Sequence, residues 1–402
     1  MTEIAHRAPG EGQGGFAFGL GAMGRGTRPG STRLGDWWHT VDRWTLGALG
    51  VLMALGLVLG LAASVPLAEK NGLWGYHYVV RQSVFALMAA GAIVVISAMD
   101  VKHVRRGGIL LFLASAAAVA MLPAWGTDFG KGATRWFSLG FFALQPSEFL
   151  KPAFVVAAAW VMAGSFERGG PPGRVISGMV AAGLAAMLAL QPDFGQAMLL
   201  LAVWAAMLFV SGAPMVLLVG LAGAVAAAGT VAYLESSHFR GRINGYLEAE
   251  LDPNTQLAYA ESAIREGRLL GVGPAQGSVK WTLPDAHTDF IIAVAAEEFG
   301  LILTVFVIAL FLVVTLRSLA RLLEERDMFI RLAGTGLAVL FGLQAFINVS
   351  VAIRLLPAKG MTLPFVSYGG SSMLAAALTM GALLALTRER PQDPAADLRA
   401  SM

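Results

Sequence analysis

Apolar residues in this chain arrive in runs of about 18 to 25 with almost no charge, the length a helix needs to cross hydrocarbon. No other feature limits the fold so tightly. In lipid no water meets the backbone N–H and C=O groups, so a spanning run must satisfy them internally as a helix. The runs fall near residues 44–65, 78–99, 109–122, 152–163, 175–190, 194–210, 214–234, 290–316, 332–356 and 367–386. Those ending at Leu122, Ala163 and Leu190 are short and imply tilt or extra flanking turns. Apolar residues make up 56% of the 402 and charged ones 14%, against roughly 25% charged in a soluble domain. The expected fold is therefore all-α: a polytopic membrane protein of about ten transmembrane helices, packed closely through abundant Gly and Ala.

Loop charge sets the orientation. Residues 1–43 are Gly-rich and Arg-dotted and lack the apolar core of a signal peptide. They read as a disordered cytoplasmic tail. With that tail inside, Arg43, Lys102, Arg105, Arg106, Arg168, Arg174, Arg317, Arg321, Arg326, Arg331, Arg388 and Arg390 also fall inside, giving an N-in, C-in topology with a short C-terminal tail at 389–402. The stretch 317–331 has the Leu and Arg spacing of a helix lying on the membrane surface. Segments 126–151, 191–193, 235–289 and 354–366 fall outside, the third being a long loop (about 235–288) between the seventh and eighth spans. A net charge of +3 and a pI near 9.3 raise nucleic acid as a partner. The basic residues are scattered over short loops, which excludes it. Cysteine is absent, so chemistry must rest on carboxylates, hydroxyls, His or Lys.

The polar residues on the outer side form several constellations. His287 and Asp289 sit where the long loop re-enters an apolar helix. Partial desolvation there would make the carboxylate a better proton acceptor, and an Asp or Thr288 N-cap is the equally weighted structural alternative. Glu297 and Glu298 follow two turns later, either functional or interfacial. Glu148 and Lys151 are three apart at a helix start, a spacing that favours a structural pair. Asp193, in QPDFGQA, marks either a cavity edge or a tight turn. Arg81 either snorkels outward or grips a phosphate. Lys359 and Ser371 belong to a Gly- and Ser-rich helix entry suited to anion binding, a weak signal alone. Together these cations and carboxylates around an outward cavity suit an anionic amphiphile.

GATRWFSLG, LQPSEFLKP, QPDFGQA, LPDAHTDFI, AAEEFG and LPAKGMTLPFVSYGGSS resemble, in order and spacing, the motifs of the SEDS proteins of bacterial cell-wall synthesis, over roughly residues 44–388. The N-terminal extension and WWHTVDRW resemble the division branch more than the elongation branch. The resemblance implies a peptidoglycan glycosyltransferase that polymerises lipid II at the outer face of the inner membrane, at the septum. Its implied partners are a class B penicillin-binding protein (the septal transpeptidase) and other divisome membrane proteins. It carries the family's essential aspartate onto Asp289, its Glu–Lys pair onto Glu148 and Lys151, and its other polar positions onto Arg81, Asp193, Arg242 and Lys359. A divalent cation, Mg²⁺ or Mn²⁺, is an implied aid to the leaving pyrophosphate. After Asn348 the sequence departs from the family pattern, with Ser350, Ala352 and Arg354 where Gly, a polar residue and Gly are usual, which questions the local helix packing. The rival readings are a lipid II flippase, which predicts polar residues reaching the cytoplasmic side and two related halves, and a division scaffold.

Overall fold

The computed structural model describes residues 33–127, 134–138, 140, 142–247, 255–357 and 360–389. The helices in chain order are α1 (Arg33–Thr40), α2 (Arg43–Lys70), α3 (His77–Ser97), α4 (Val101–Trp125), α5 (Pro146–Gly164), α6 (Gly173–Leu190), α7 (Phe194–Val210), α8 (Met215–Glu235), α9 (Ser237–Leu247), α10 (Gln256–Gly267), α11 (Ile291–Leu323), α12 (Met328–Ala352) and α13 (Gly370–Leu386). A small hairpin of β1 (Phe137–Ser138) and β2 (Ala143–Leu144) precedes α5. Among the described residues, eight helices are long and apolar enough to span, and the shorter α7 and α13 bring the apolar helices to ten. Most of the expected tail lies outside the described residues, but 33–40 forms α1.

The short runs at 109–122 and 152–163 gain the flanking turns expected of them, being 25 and 19 residues long as α4 and α5. One expectation is corrected. The stretch 317–331 is not one helix on the surface. Its first part continues α11 to Leu323, and the chain then turns so that the Asp327 carboxylate caps α12, accepting from the Ile330 N–H at 3.0 Å. Although Ser350, Ala352 and Arg354 replace the usual residues, α12 runs regularly to Ala352, and Arg354 then takes a positive φ of 60°.

The bundle is centred on α5 and α12, which pack on each other and are buried over most of their length. Helix α8 contributes no buried residue and touches only its neighbours in sequence, α7 and α9, closely. Exposed Trp44 lies at the arginine-rich end, and exposed Trp74, Tyr76 and Trp125 at the other, where a membrane's two interfaces favour amphipathic rings. At the inner end the buried Asp42 accepts from the Trp44 N–H at 3.2 Å and from the Thr45 hydroxyl at 2.9 Å. It also meets Arg317 at 2.8 Å and Arg321 at 3.5 Å, clasping α2 to α11. Burial pushes the Asp42 carboxyl up, but the hydrogen bonds from Arg317 and Thr45 and the charges of both arginines outweigh it and hold it below its ordinary value.

Helix α11 is interrupted at Gly300, whose φ of 81° breaks the ladder. The freed groups are taken up by the end of the long loop. The Glu297 and Glu298 carbonyls accept from Val272 and Gly273 at 2.9 and 3.1 Å, and Leu301 and Ile302 donate to the Arg268 and Leu269 carbonyls at 3.0 and 3.4 Å. Glycine at 267 and 271 permits the approach, since a Cβ at either would overlap a carbonyl of α11. Gly267→Ala should therefore destabilise the detergent-solubilised protein by about 2 to 3 kcal/mol, measured as a lowered unfolding midpoint, while Gly229→Ala, whose Cβ would meet open space, should leave it unchanged.

Candidate active site at the outer end of the bundle

Helices α3, α5, α7, α11 and α13 all run inward from the outer end, so their N-termini converge there. Each carries an expected site residue within or just before its first turns: Arg81, Glu148, Asp193, Asp289 and Ser371. Five helix starts aimed at one region make it favourable for anionic groups. A cavity of about 570 Å³ opens among them, lined by Arg81, Glu148, His287, Asp289 and Ser371 and by Arg135, Gln145, Gln256, Asp285, Thr362 and Tyr368.

Asp289 lies half-buried in the turn between the 3₁₀ segment Val279–Trp281 and α11. The capping alternative does not hold. The N-cap position of α11 is Phe290, no side chain caps the helix, and the Thr288 hydroxyl donates to the Asp285 carbonyl at 3.1 Å instead. The Asp289 carboxylate faces the cavity close to Gly360, where a Cβ would come 3.4 Å from its Oδ2. His287 packs its ring near Tyr78 and Tyr368, with centroids 6.1 and 5.6 Å away. Burial pushes the Tyr368 hydroxyl above its ordinary pKa, against the charge of Arg81 beside it.

The Glu148–Lys151 spacing yields a buried pair at 2.9 Å. Its outer groups are also satisfied. Gln196 of α7 donates to Glu148 Oε1 at 2.8 Å, and Lys151 donates to the Gln344 amide oxygen of α12 at 3.4 Å. The pair thus ties α5, α7 and α12 together, while Glu148 alone reaches the cavity wall. Below it, a void of only about 10 Å³ borders Lys151 and Gln344, room for about one water. Asp193 is buried behind the wall, where burial pushes its carboxyl up against the opposing charge of Arg135. Arg135 also donates to the Gln191 and Pro192 carbonyls at 3.0 and 2.8 Å, fixing the Asp193 turn to the cavity rim. Ser371 bridges α13 to the hairpin, donating to the Ala143 carbonyl at 2.7 Å and accepting from the Gln145 N–H at 3.2 Å.

Not every expected residue joins the site. Glu297 and Glu298 are fully buried anchors for the loop. Glu298 pairs with buried Lys280 and accepts from the Ala275 N–H at 2.8 Å, and Glu297 accepts from Ser278 and Val279 at 2.6 and 2.9 Å. Arg242 falls on α9, with its side chain outside the described residues, and Lys359 lies outside them altogether. Sequence reasoning did not single out Arg135, Asp285, Gln145, Gln196, Gln344 or Tyr368. The signal for most was only their position in polar segments at helix entries, and for Gln344 a lone amide within an apolar run.

Comparison with known proteins gives concordant findings. The family model for the cell cycle proteins FtsW, RodA and SpoVE matches residues 43–392. The chain is 40% identical over 361 residues to a probable peptidoglycan glycosyltransferase FtsW of Caulobacter vibrioides, covering 90% of this chain and 92% of that one. It is 36% identical over 346 residues to a protein of the same description from Trichlorobacter lovleyi, covering 83% and 89%. Its fold is similar to a chain from a study of polymerization and crosslinking by a peptidoglycan synthase complex, with TM-score 0.72, 27% identity and coverage of 88% and 99%. It is also similar to the crystal structure of the Thermus thermophilus rod shape determining protein RodA, with TM-score 0.64, 27% identity and coverage of 89% and 99%.

The buried pair makes a sign-specific prediction. Lys151→Met leaves the Glu148 charge uncompensated and should cost about 3 to 5 kcal/mol of stability. The double variant Glu148→Gln with Lys151→Met should regain most of it. Thermal unfolding of the wild type and these two variants in detergent checks both.

Proposed function

The chain belongs to the FtsW, RodA and SpoVE family of cell cycle proteins, and on that premise we propose that it is a peptidoglycan glycosyltransferase that polymerises lipid II at the outer face of the bacterial inner membrane during division. The observation that carries the reading is a half-buried carboxylate, Asp289, facing a roomy outward cavity beside two guanidinium groups, Arg81 and Arg135. Asp289 accepts the proton of the acceptor sugar's 4-hydroxyl as that oxygen attacks the anomeric carbon of the donor. The configuration there inverts, and undecaprenyl pyrophosphate departs. Arg81, Arg135 and the converging helix N-termini offer positive potential to the departing charge. His287 and Ser371 shape the wall, Asp193 lies behind it, and Arg242 and Lys359 are further candidates for anion contact. Glu148 and Lys151 hold the floor.

A divalent cation is a separate matter. Among the described residues no three His, Asp or Glu side chains gather as metal ligands. Mg²⁺ or Mn²⁺ would therefore come with the pyrophosphate and take few protein ligands. The similarity to a chain from a synthase complex supports a class B penicillin-binding protein as partner, and the division-type names of the relatives support placement at the septum with other divisome membrane proteins.

Transport of the head group fits less well. The apolar, buried side chains of α5 below Lys151, among them Phe154, Val155 and Val156, and the small void beneath Glu148 offer no polar route inward. Purified protein with its partner and lipid II in detergent, where nothing can be transported, should yield glycan polymer. Asp289→Ala should lower the rate by about 10²- to 10⁴-fold while keeping its unfolding midpoint and its partner. Polymer at the wild-type rate from that variant would overturn the assignment.

A further inference from the structure

Three consecutive carbonyls, those of His287, Thr288 and Asp289, are gripped by one neighbouring region of the fold. The His287 carbonyl accepts from the Tyr368 N–H at 2.9 Å. The Thr288 carbonyl accepts from the Ser367 hydroxyl. The Asp289 carbonyl accepts from the Asn348 side-chain amide at 2.9 Å. Both side-chain donors are held in turn. Asn348 gives its other amide hydrogen to the Met361 carbonyl at 2.6 Å, and the Ser367 oxygen accepts from the Leu363 N–H at 2.8 Å. Asn348 and Ser367 are buried and do not line the cavity.

The strap from Met361 to Tyr368 is itself fixed from behind. Phe365 is buried with φ of 64°. That conformation costs a bulky residue about 1 to 3 kcal/mol and persists only where the surroundings over-determine it. Those surroundings are visible. Gly56 of α2 lies so close to the Phe365 carbonyl that a Cβ there would overlap it, and buried Gln82 of α3 donates to the Gly56 and Val366 carbonyls at 3.2 and 3.3 Å. In the turn bearing Asp289, which has no side-chain cap, the N–H groups of residues 288–290 converge on the Asp285 carbonyl at 3.0 to 3.4 Å. Its carbonyls are held from outside the turn, by the strap and by Asn348 of α12.

We infer that Asn348 and Ser367 are positioning residues for Asp289: through the carbonyls of residues 288 and 289 they hold its carboxylate at the cavity. The inference rests on the proposed role of Asp289 as the base. A carboxylate displaced by about 1 Å from the attacking hydroxyl loses about 100-fold in rate, whereas the binding surface, to which neither side chain contributes, stays as it was. The signature is thus a fall in kcat without a matching change in KM.

The test uses full-length protein co-purified with its partner transpeptidase, with initial polymerisation rates followed against lipid II concentration and normalised to the folded fraction. Ser367→Ala deletes one hydroxyl at nearly constant volume, and Asn348→Ala removes both amide bonds. Each should lower kcat about 10- to 100-fold with KM within about twofold. Should Asn348→Ala fail to fold, Ser367→Ala decides alone. Folded alanine variants with kcat within twofold of wild type, or with the loss carried by KM, overturn the inference. Asp289→Asn, measured in parallel, separates the two claims. If it is inactive while the alanine variants work normally, only the positioning role falls; if it is active, the base assignment falls as well.

Discussion

Backbone polar groups at membrane depth must find partners inside the protein, and the outer end of this bundle is organised around that requirement. Helix α11 breaks at Gly300, and the long loop folds back so that residues 268–273 complete the interrupted ladder. The carboxylates of Glu297 and Glu298 then bind the next turns of the same loop through Lys280 and three backbone N–H groups. The loop is thereby integral to the fold, and it ends on the turn that carries Asp289. The break in the spanning helix thus docks the loop on α11, and the loop's last residues, Asp285 and 287–290, line the cavity.

Charge is distributed in a similar way. The buried carboxylates of Glu148, Glu298 and Asp42 are each met by cations, Lys151, Lys280 and Arg317 with Arg321, and that of Glu297 by two backbone N–H groups. A buried charge left without a partner would cost several kcal/mol. Asp289 and Asp285 instead face the roomy cavity, together with the cations Arg81 and Arg135. Half-buried Asp289 and Asp285 are thus placed where an incoming group can reach them, whereas Glu298 and Asp42 are sealed within the fold.

Much of this was legible in the residues. The ten apolar runs returned as ten apolar helices, because hydrocarbon thickness imposes a length that composition reveals directly. The Glu148–Lys151 pairing followed from helical spacing. The interruption at Gly300 was not legible, because a Gly in an apolar run is also ordinary packing for a membrane helix. The role of Glu297 and Glu298 stayed open, because their partners, Lys280 and the N–H groups of 275–279, are joined to them only by the tertiary fold. Arg135 and Asn348 passed unmarked for the same reason: each acts on carbonyls distant in sequence, which no local pattern encodes. The stretch 317–331 misled because Leu and Arg at helical spacing suit a surface helix and the end of a spanning one equally well.

The proposed role of Asp289 as proton acceptor in sugar transfer is open to direct observation in a structure of the protein with its partner, trapped with two lipid II molecules whose donor cannot react. The acceptor's 4-hydroxyl should lie within about 2.6 to 3.2 Å of the Asp289 carboxylate, with the donor pyrophosphate toward Arg81 and Arg135. An acceptor hydroxyl directed instead at Glu148 or Asp285, with Asp289 remote from both sugars, would contradict it.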